Sequence, residues 1–152
     1  MRKRQWIQIT TALVLALLLS ACASKETYMD LTITSSGEIN PDNEGISSPL
    51  MLNFYELNSA EQFSKLDYWT LADNGKERLN SDLLSQSKEV IVPNEKQHYK
   101  ILFNDNAKFL GIIANFRNLD KNATWRYVID LKRNAHNEID LRIDGNKIEE
   151  VE

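Results

Sequence analysis

The sequence has little of the side-chain chemistry from which active sites are most often built. Its 152 residues include one cysteine and two histidines. A lone cysteine cannot close an intramolecular disulfide, so Cys22 needs another explanation. His98 and His136 have no histidine, glutamate or cysteine at the spacing of a zinc site, and we expect both to be exposed to solvent. The sequence therefore predicts no metal site.

Catalytic and nucleotide-binding motifs are missing as well. The chain has no Gly-x-Ser-x-Gly elbow, no glycine-rich phosphate loop and no GxGxxG fingerprint. Carboxylates are numerous, but the sequence places no pair of them where they could work together as acid and base. We therefore expect a protein that is not an enzyme and that uses no cofactor and no small-molecule substrate. A small enzyme whose acidic side chains converge only in the fold stays open as an alternative.

The sequence also lacks an apolar run long enough to cross a bilayer. Thr11–Leu19 is almost unbroken and apolar, but it is about half of the ~20 residues that a membrane-spanning helix needs. Arg2, Lys3 and Arg4 precede it, and small residues follow it. A basic start, a short apolar centre and small residues are typical of a secretory signal peptide, which we place at residues 1–21.

The residues around the only cysteine make this signal more specific. Leu19-Ser20-Ala21-Cys22 resembles the bacterial lipobox, in which the cysteine becomes the new N-terminus and receives acyl chains. Two or more acyl chains anchor a protein stably to a membrane. Ala23 follows the cysteine where an aspartate would signal retention in the inner membrane, so we expect anchoring in the outer membrane, facing the periplasm. The alternative is a free thiol that follows a signal peptide by accident. Residues 22–27 then form an acylated tether.

The expected mature chain is acidic. Removing Arg2, Lys3 and Arg4 from the 18 basic residues leaves 15 against 22 acidic residues, a net charge of −7. Those three residues form the only basic cluster in the sequence, and they leave with the signal peptide. Because an acidic domain does not attract nucleic-acid phosphates, we exclude nucleic acid as a partner.

Residues 28–152 show the period of two that marks half-buried strands. Met29, Leu31 and Ile33 alternate with polar residues, and Asp144-Gly145 is a tight-turn signal near the C-terminus. This pattern predicts a mainly β fold, a β-sandwich of seven or eight short strands. After the first strand, the expected strands are Leu50–Leu57, Glu89–Val92, Tyr99–Phe103, Phe109–Phe116, Trp125–Leu131, Ile139–Ile143 and a last one through Ile148.

Between the second and third strands the pattern becomes helical, over about residues 59–85. Ser59 and Gln62 spell a capping box, which predicts a helix start there. An irregular loop with isolated turns is the alternative. We expect Trp69 and Trp125 to belong to the core rather than to form a ligand platform.

The connection Ser35–Pro49 is long for a compact domain. Its glycines, prolines and small polar residues mark a loop, and long loops are usually functional or disordered. The prolines lower the ordering cost of binding, and Asn40, Asp42 and Glu44 offer polar contacts. From these residues alone, a binding loop and a mobile loop without a partner both stay open.

Three segments occur together in the order and spacing of a known family. The first is the lipobox followed by Asp30-Leu31-Thr32-Ile33-Thr34. The second is Asn40-Pro41-Asp42 with Gly45 and Ser48-Pro49, leading into Leu52-Asn53-Phe54-Tyr55-Glu56-Leu57. The third is Phe116-Arg117-Asn118-Leu119 with Ala123, Trp125 and Arg126. Together they resemble the type VI secretion system lipoproteins of the TssJ (VasD/SciN) family.

The resemblance implies a transthyretin-like β-sandwich with a small helical insert and a role in an envelope-spanning complex. In that family the loop joining the first two strands binds the periplasmic domain of TssM, the IcmF-like inner-membrane component. Here that loop is Ser36–Ser48, and Arg117, Trp125 and Arg126 are expected to stabilise the fold. A general ligand-binding or scaffold lipoprotein of another envelope complex is the alternative. The residues expected to contact the partner are Asn40, Pro41, Asp42, Glu44, Gly45 and Ser48.

Overall fold

The computed structural model describes residues 25–151; the expected signal peptide at 1–21 and Cys22 lie outside them. In this range the chain forms two four-stranded sheets packed as a sandwich, with a small helical insert. The predicted fold class is confirmed. The strands are β1 (Tyr28–Ser35), β2 (Leu50–Leu57), β3 (Leu83–Ile91), β4 (Lys96–Leu102), β5 (Phe109–Ala114), β6 (Arg126–Asp130), β7 (His136–Asp144) and β8 (Lys147–Glu150).

The strand order is β4-β1-β7-β8 in one sheet and β3-β2-β5-β6 in the other. Within the first sheet, β1 runs parallel to β7 and antiparallel to β4. The turn predicted at Asp144-Gly145 is present, because Asp144 pairs with Lys147 across a two-residue connection. Several strand boundaries differ from the predicted ones by one to three residues, and the largest difference is at β3, which begins at Leu83 rather than at Glu89. Most of its residues are exposed, so it has no strong alternation to mark its start.

Alternation in the strands builds the core between the two sheets. Met29, Leu31 and Ile33 of β1 point inward and are at most 1% exposed. Leu52 and Phe54 of β2 meet them from the other sheet. Because a strand turns every second side chain to the same face, this pattern fixes which face of each sheet is buried.

The outer face of the second sheet is covered by the helical insert. This insert contains α1 (Glu61–Lys65), α2 (Tyr68–Leu79) and a 3-10 turn (Asn80–Asp82). Its apolar side chains meet those on the outer face of β2 and β5, so β2 is buried on both faces. The fully buried residues of this second cluster are Tyr55, Leu57, Phe63, Leu71, Leu79 and Ile113.

The predicted capping box at Ser59 and Gln62 is wrong. The N-cap position of α1 is Ala60, and no side-chain hydrogen bond caps this helix. The hydroxyl of Ser59 accepts a hydrogen bond from the N–H of Glu61 instead. The capping interaction belongs to the next helix instead. The carboxylate of Asp67 accepts from the N–H of Thr70 at 3.0 Å and from its hydroxyl at 2.6 Å, and these bonds lower the pKa of Asp67.

The two tryptophans of this region differ in burial. Trp125 is half-buried and packs against both apolar clusters. Trp69 is 67% exposed, so the expectation that it belongs to the core is wrong. On α2, Leu71 and Leu79 face the sheet. Trp69 comes two residues before Leu71 and therefore lies about 200° away around the helix, on its outer side. The ring of Trp69 packs only edge-on against Tyr68.

The long loop and the point where the chain enters the sandwich lie at opposite ends. At the entry end, Thr27 accepts hydrogen bonds from the N–H groups of Phe103 and Asn134. At the loop end, the N–H of Asn94 donates to Ser36, and that of Asn40 donates to Gly145. The eight residues of β1 separate the two ends, a distance of roughly 26 Å at about 3.3 Å per residue. Within residues 25–151, no helix combines the length and apolar character that crossing a membrane requires.

Candidate functional site

The loop between β1 and β2 is held to the rest of the domain by the side chain of Asn40. This residue is 3% exposed. Its amide donates to the carbonyl of Pro49 at 2.9 Å, and its oxygen accepts from the N–H of Arg117 at 2.7 Å. Its backbone has φ 48°, the left-handed region that asparagine tolerates better than most residues. Asn40 therefore fixes the base of the loop from inside.

The tip of the loop is organised around Asp42. One of its carboxylate oxygens accepts from the N–H groups of Glu44 and Ile46, each at 2.9 Å. Its own N–H donates to the carbonyl of Ile46, and its carbonyl accepts from Gly45. Gly45 has φ 82°, which only glycine adopts without strain. The tip is thus a closed turn whose shape is set by its own hydrogen bonds.

These contacts divide the predicted contact residues into two groups. Asn40 and Ser48 are buried, so they support the loop rather than present a side chain to a partner. Pro41 and Asp42 are half-buried, and Glu44 and Gly45 are exposed at the tip. The sequence reasoning missed Ile46, which is 59% exposed beside them. The sequence signal that could have identified Ile46 as a contact residue is an isoleucine placed among turn-forming polar residues.

An apolar surface adjoins the loop at the same end of the sandwich. Met51 of β2 lies directly opposite Val90 of β3, and both are exposed. Exposed Val92 follows, and its carbonyl accepts a hydrogen bond from the hydroxyl of Ser35 at the base of the loop. We call these three side chains, together with Ile46 at the loop tip, the loop-end surface. Clustered exposed apolar side chains mark protein-interaction sites more often than scattered ones do.

The loop-end surface carries negative charge. Glu38, Asp42 and Glu44 lie in the loop, which has no basic residue between Ser36 and Pro49. Glu95, in the adjoining corner between β3 and β4, accepts hydrogen bonds that lower the pKa of its carboxyl; the bond from Gln97 contributes most, followed by that from the N–H of Val92. The surface therefore favours a partner that is apolar at its centre and basic at its rim.

Arg126 and Trp125 stabilise the insert rather than face a partner. The guanidinium of Arg126 donates to the carbonyls of Phe63 and Leu66, at 2.9 and 2.8 Å, where α1 ends. It also lies over the ring of Trp125, 4.7 Å from its centre. A cation at a helix C-terminus satisfies free carbonyls and the helix dipole, and burial lowers the pKa of this arginine.

A groove of about 440 Å³ opens between the edge strands β3 and β4, away from the loop. The rings of Phe54 and Tyr99 line it, and Glu56 lies at its base. Glu56 is buried, and its carboxylate accepts from the hydroxyl of Ser85 at 2.6 Å and from the N–H of Asn104 at 2.5 Å. The carboxylate thus joins the two sheets. In the part of the chain that the structure describes, no cluster of histidine, cysteine and carboxylate side chains could hold a metal ion.

The two histidines are exposed, as expected, but both have partners. His136 begins β7 rather than lying in a turn, and its ring stacks on Tyr28 with 4.6 Å between ring centres. Its Nε2 lies 2.8 Å from the carboxylate of Asp30. His98 lies 3.1 Å from the hydroxyl of Thr32. These contacts connect neighbouring strands on the outer face of the first sheet.

Comparison with known families decides what this sandwich is. The T6SS-SciN family, described as type VI secretion lipoprotein (VasD, EvfM, TssJ), matches residues 27–146. The chain belongs to this family. It is therefore a lipoprotein of the type VI secretion system, and the family is one of structural lipoproteins rather than enzymes. No match was found among curated proteins.

Solved structures agree with the family assignment. The T6SS lipoprotein TssJ1 from Pseudomonas aeruginosa is 29% identical, with a TM-score of 0.79 over 83% of this chain and 95% of that one. A chain of a type VI membrane complex is 25% identical, with a TM-score of 0.75 over 84% of this chain and 100% of the other. A chain in a structure described as the T6SS protein TssM C-terminal domain from EAEC shares the fold, at 23% identity and a TM-score of 0.68 over 83% and 98%.

Proposed function

We propose that this lipoprotein joins the outer membrane to the inner-membrane part of the secretion machine. Acyl chains on Cys22 hold it to the outer membrane, and the sandwich faces the periplasm. The loop-end surface binds the periplasmic domain of the IcmF-like protein TssM. The protein acts as an anchor, and no step of this function requires catalysis.

The observation that carries this proposal is the placement of the tether and the loop at opposite ends of the sandwich. The tether enters at Thr27, and the loop lies about 26 Å away along β1. A protein held to a membrane at the first end presents the second end to the periplasm. Both ends can therefore be occupied at the same time.

The geometry of the loop also supports binding. Its base is fixed by Asn40 and its tip by Asp42, so little backbone entropy is lost when a partner docks. Its tip exposes Ile46, and Met51 and Val90 are exposed on β2 and β3. These side chains supply apolar area of the kind found at the centre of interfaces. This chain is similar to a chain of a type VI membrane complex and to a chain in a structure described as the TssM C-terminal domain, which makes TssM the candidate partner.

Substitution of the loop tip tests partner binding. The mature chain carrying Cys22→Ser is titrated with the purified TssM periplasmic domain in a calorimeter. Ile46→Asp with Glu44→Lys should lower the affinity at least about thirtyfold, since a buried apolar anchor often contributes about 2 kcal/mol or more. Both side chains are exposed, so the melting temperature should hardly change.

Leu102→Asp is the matched control, because Leu102 is 62% exposed at the entry end and Ile46 is 59% exposed at the loop end. It should bind as tightly as the parent. Unchanged affinity of the loop-tip variant would remove the loop from the proposed interface. Equal losses in both variants would point to a general effect of the introduced charges.

Mass spectrometry of protein taken from cells tests the anchor. The N-terminal peptide should begin at Cys22 and carry the mass of a diacylglycerol thioether. Cys22→Ser protein should leave the outer-membrane fraction while keeping its melting temperature, because Cys22 lies before the folded residues. An unmodified sulfur in the parent, or retention of the serine variant, would contradict the anchor.

A further inference from the structure

We propose that the entry end of the sandwich is a second interaction surface, which lies against anionic phospholipids of the membrane that holds the acyl chains. This inference rests on the proposed acylation of Cys22 and goes beyond it. The acyl chains hold the protein to the bilayer, and the surface sets the orientation of the sandwich on it.

Basic side chains that are far apart in the sequence meet at the entry end. The N–H of Leu131 donates to the carbonyl of Lys108, and the guanidinium of Arg133 donates to the carbonyl of Asp105 at 2.9 Å. The two loops that follow β4 and β6 are thereby joined. Lys108, Lys132 and Arg133 are exposed on them. The sequence shows no basic cluster outside the expected signal peptide, because only the fold brings these residues together.

An apolar and aromatic row lies beside this basic group. Leu102 of β4 pairs with Tyr28 of β1, which pairs in turn with His136 of β7. These positions lie on the outer face of the first sheet, and Leu102 is 62% exposed. The ammonium of Lys100 lies 5.6 Å from the centre of the Tyr28 ring. Tyrosine and lysine next to an exposed leucine are the side chains that favour the boundary between headgroups and acyl chains.

The tether determines what can cover this surface. Five residues, 23–27, separate Cys22 from β1, and an extended chain of that length reaches at most roughly 20 Å. The entry end therefore stays within a few Debye lengths of the headgroups, where basic side chains are attracted to anionic lipid. No other partner is held so close to it by the chain itself.

The entry-end loops and the long loop differ in charge. Lys25, Lys108, Lys132 and Arg133 outnumber Glu26 and Asp105 in the tether and the two entry-end loops. The long loop at the other end contains three acidic residues and no basic one. An anionic bilayer attracts the entry-end loops and repels the long loop; Lys96 and Lys121 also lie at the loop end, but outside that loop. The sandwich should consequently stand with its loop directed away from the membrane.

A fluorescent label at the entry end tests this orientation. Acylated Leu102→Cys protein is purified and placed in vesicles of phosphatidylethanolamine and phosphatidylglycerol at 3:1. The thioether blocks Cys22, so a polarity-sensitive label reacts only at position 102. Acrylamide, an uncharged quencher, should quench this label at least about threefold less in vesicles than in detergent. A label at Asn43→Cys, in the exposed loop, should be quenched equally in both.

Charge reversals at the two ends provide a matched comparison. Lys108→Glu with Lys132→Glu should abolish protection at position 102 while the protein still floats with the vesicles. Lys96→Glu with Lys121→Glu changes the net charge equally but at the loop end, and should leave the protection intact. Both pairs of lysines are exposed, so the fold is not expected to change.

Four results would overturn the proposal. Equal quenching of the label in vesicles and detergent, with the protein still floating, would remove the surface and leave the acyl anchor standing. Equal loss of protection in both charge-reversal variants would show that only net charge matters. Protection that persists in phosphatidylcholine vesicles would remove the role of anionic lipid. Failure of the parent protein to float would contradict the anchor itself, and with it the surface.

Discussion

The side-chain oxygen of Asn40 accepts a hydrogen bond from the backbone N–H of Arg117, 77 residues further along the chain. This contact joins the long loop to the connection between β5 and β6. Two of the three segments that identify the family in the sequence therefore touch each other in the fold. The contact holds the base of the loop against that connection.

Replacing Asn40 by glycine should loosen this loop. Glycine accepts the left-handed backbone, so the change removes the two side-chain hydrogen bonds without adding strain. We expect a loss of about 2 kcal/mol in the free energy of unfolding, because two partly buried backbone groups are left without partners. Asn134→Gly is the control, since Asn134 has a similar φ of 55° but is exposed. Urea denaturation measures the free energy of unfolding of both variants. Equal losses of stability would contradict the role given to the Asn40 side chain.

Gly111 on β5 is expected to be intolerant of a side chain. A Cβ there would lie 2.6 Å from the ring of Phe63, which packs α1 onto the sheet. Gly111→Ala should therefore destabilise the domain by about 1–3 kcal/mol, the usual cost of overpacking a core. Adding Phe63→Leu should recover part of that loss.

Gly75→Ala serves as the comparison for this prediction. A Cβ at Gly75 would meet Tyr55 at 3.5 Å, an ordinary contact, and the residue lies in α2. Alanine is favoured over glycine in helices by about 1 kcal/mol, so this variant should be neutral or more stable. If Gly111→Ala and Gly75→Ala behave alike in thermal and urea unfolding, the packing of α1 is not what constrains position 111.

Arg126 should contribute to stability through its fork of donors. Arg126→Lys keeps the charge but cannot reach both carbonyls at the end of α1 with the same geometry. We expect it to lose about 1–2 kcal/mol, in the range measured for hydrogen bonds from charged groups. Arg142→Lys, at an exposed position of β7, should change stability by less than about 0.5 kcal/mol. Protease sensitivity should rise between residues 60 and 80 only in the first variant.

Stability should fall at alkaline pH. Burial raises the pKa of Tyr99 to about 12, with Glu89 and Glu95 adding to the shift. Burial also raises the pKa of Tyr127 to about 12, helped by its hydrogen bond to Glu150. An unfolded tyrosine ionises near pH 10. Between about pH 10 and 12 the unfolded chain therefore releases protons that the folded chain keeps, and the free energy of unfolding decreases as pH rises.

Urea midpoints measured from about pH 8 to pH 11 test this pH dependence. The midpoint should be steady up to about pH 10 as far as these tyrosines are concerned, and then decline. Tyr127→Phe should make the decline shallower, because phenylalanine has no proton to lose. The same slope in the parent and in Tyr127→Phe would show that this group does not titrate as the structure indicates.

The sequence predicts the sandwich well because alternation is a local signal. The alternation of Met29, Leu31 and Ile33 identifies a buried face within five residues, and Asp144-Gly145 identifies a turn within two. Long-range relationships leave no such signal. Nothing local indicates that Asn40 is turned inward, or that Lys108 and Lys132 become neighbours. The loop could therefore be located from the sequence, while its exposed residues could not be told from its buried ones.

The predictions that are wrong both lie in the helical insert, where a local sequence pattern disagrees with the packing. Ser59 matched a capping motif, but the side chain that caps a helix is Asp67, at the start of α2. The residue type of Trp69 favours the core, although its position relative to Leu71 turns it outward. In both cases the packing of the insert on the sheet determines which side chain caps a helix and which one faces outward. That packing depends on β5 and β6, which come later in the chain.

Flotation of three components in one gradient tests the central claim most directly. The acylated protein, vesicles and the TssM periplasmic domain are mixed and centrifuged. TssM domain should float with the parent protein. Ile46→Asp with Glu44→Lys should float alone, and Cys22→Ser should bind the TssM domain without floating. A TssM domain that floats with the loop-tip variant, or that stays at the bottom with the parent, would contradict a protein that binds lipid at one end and its partner at the other.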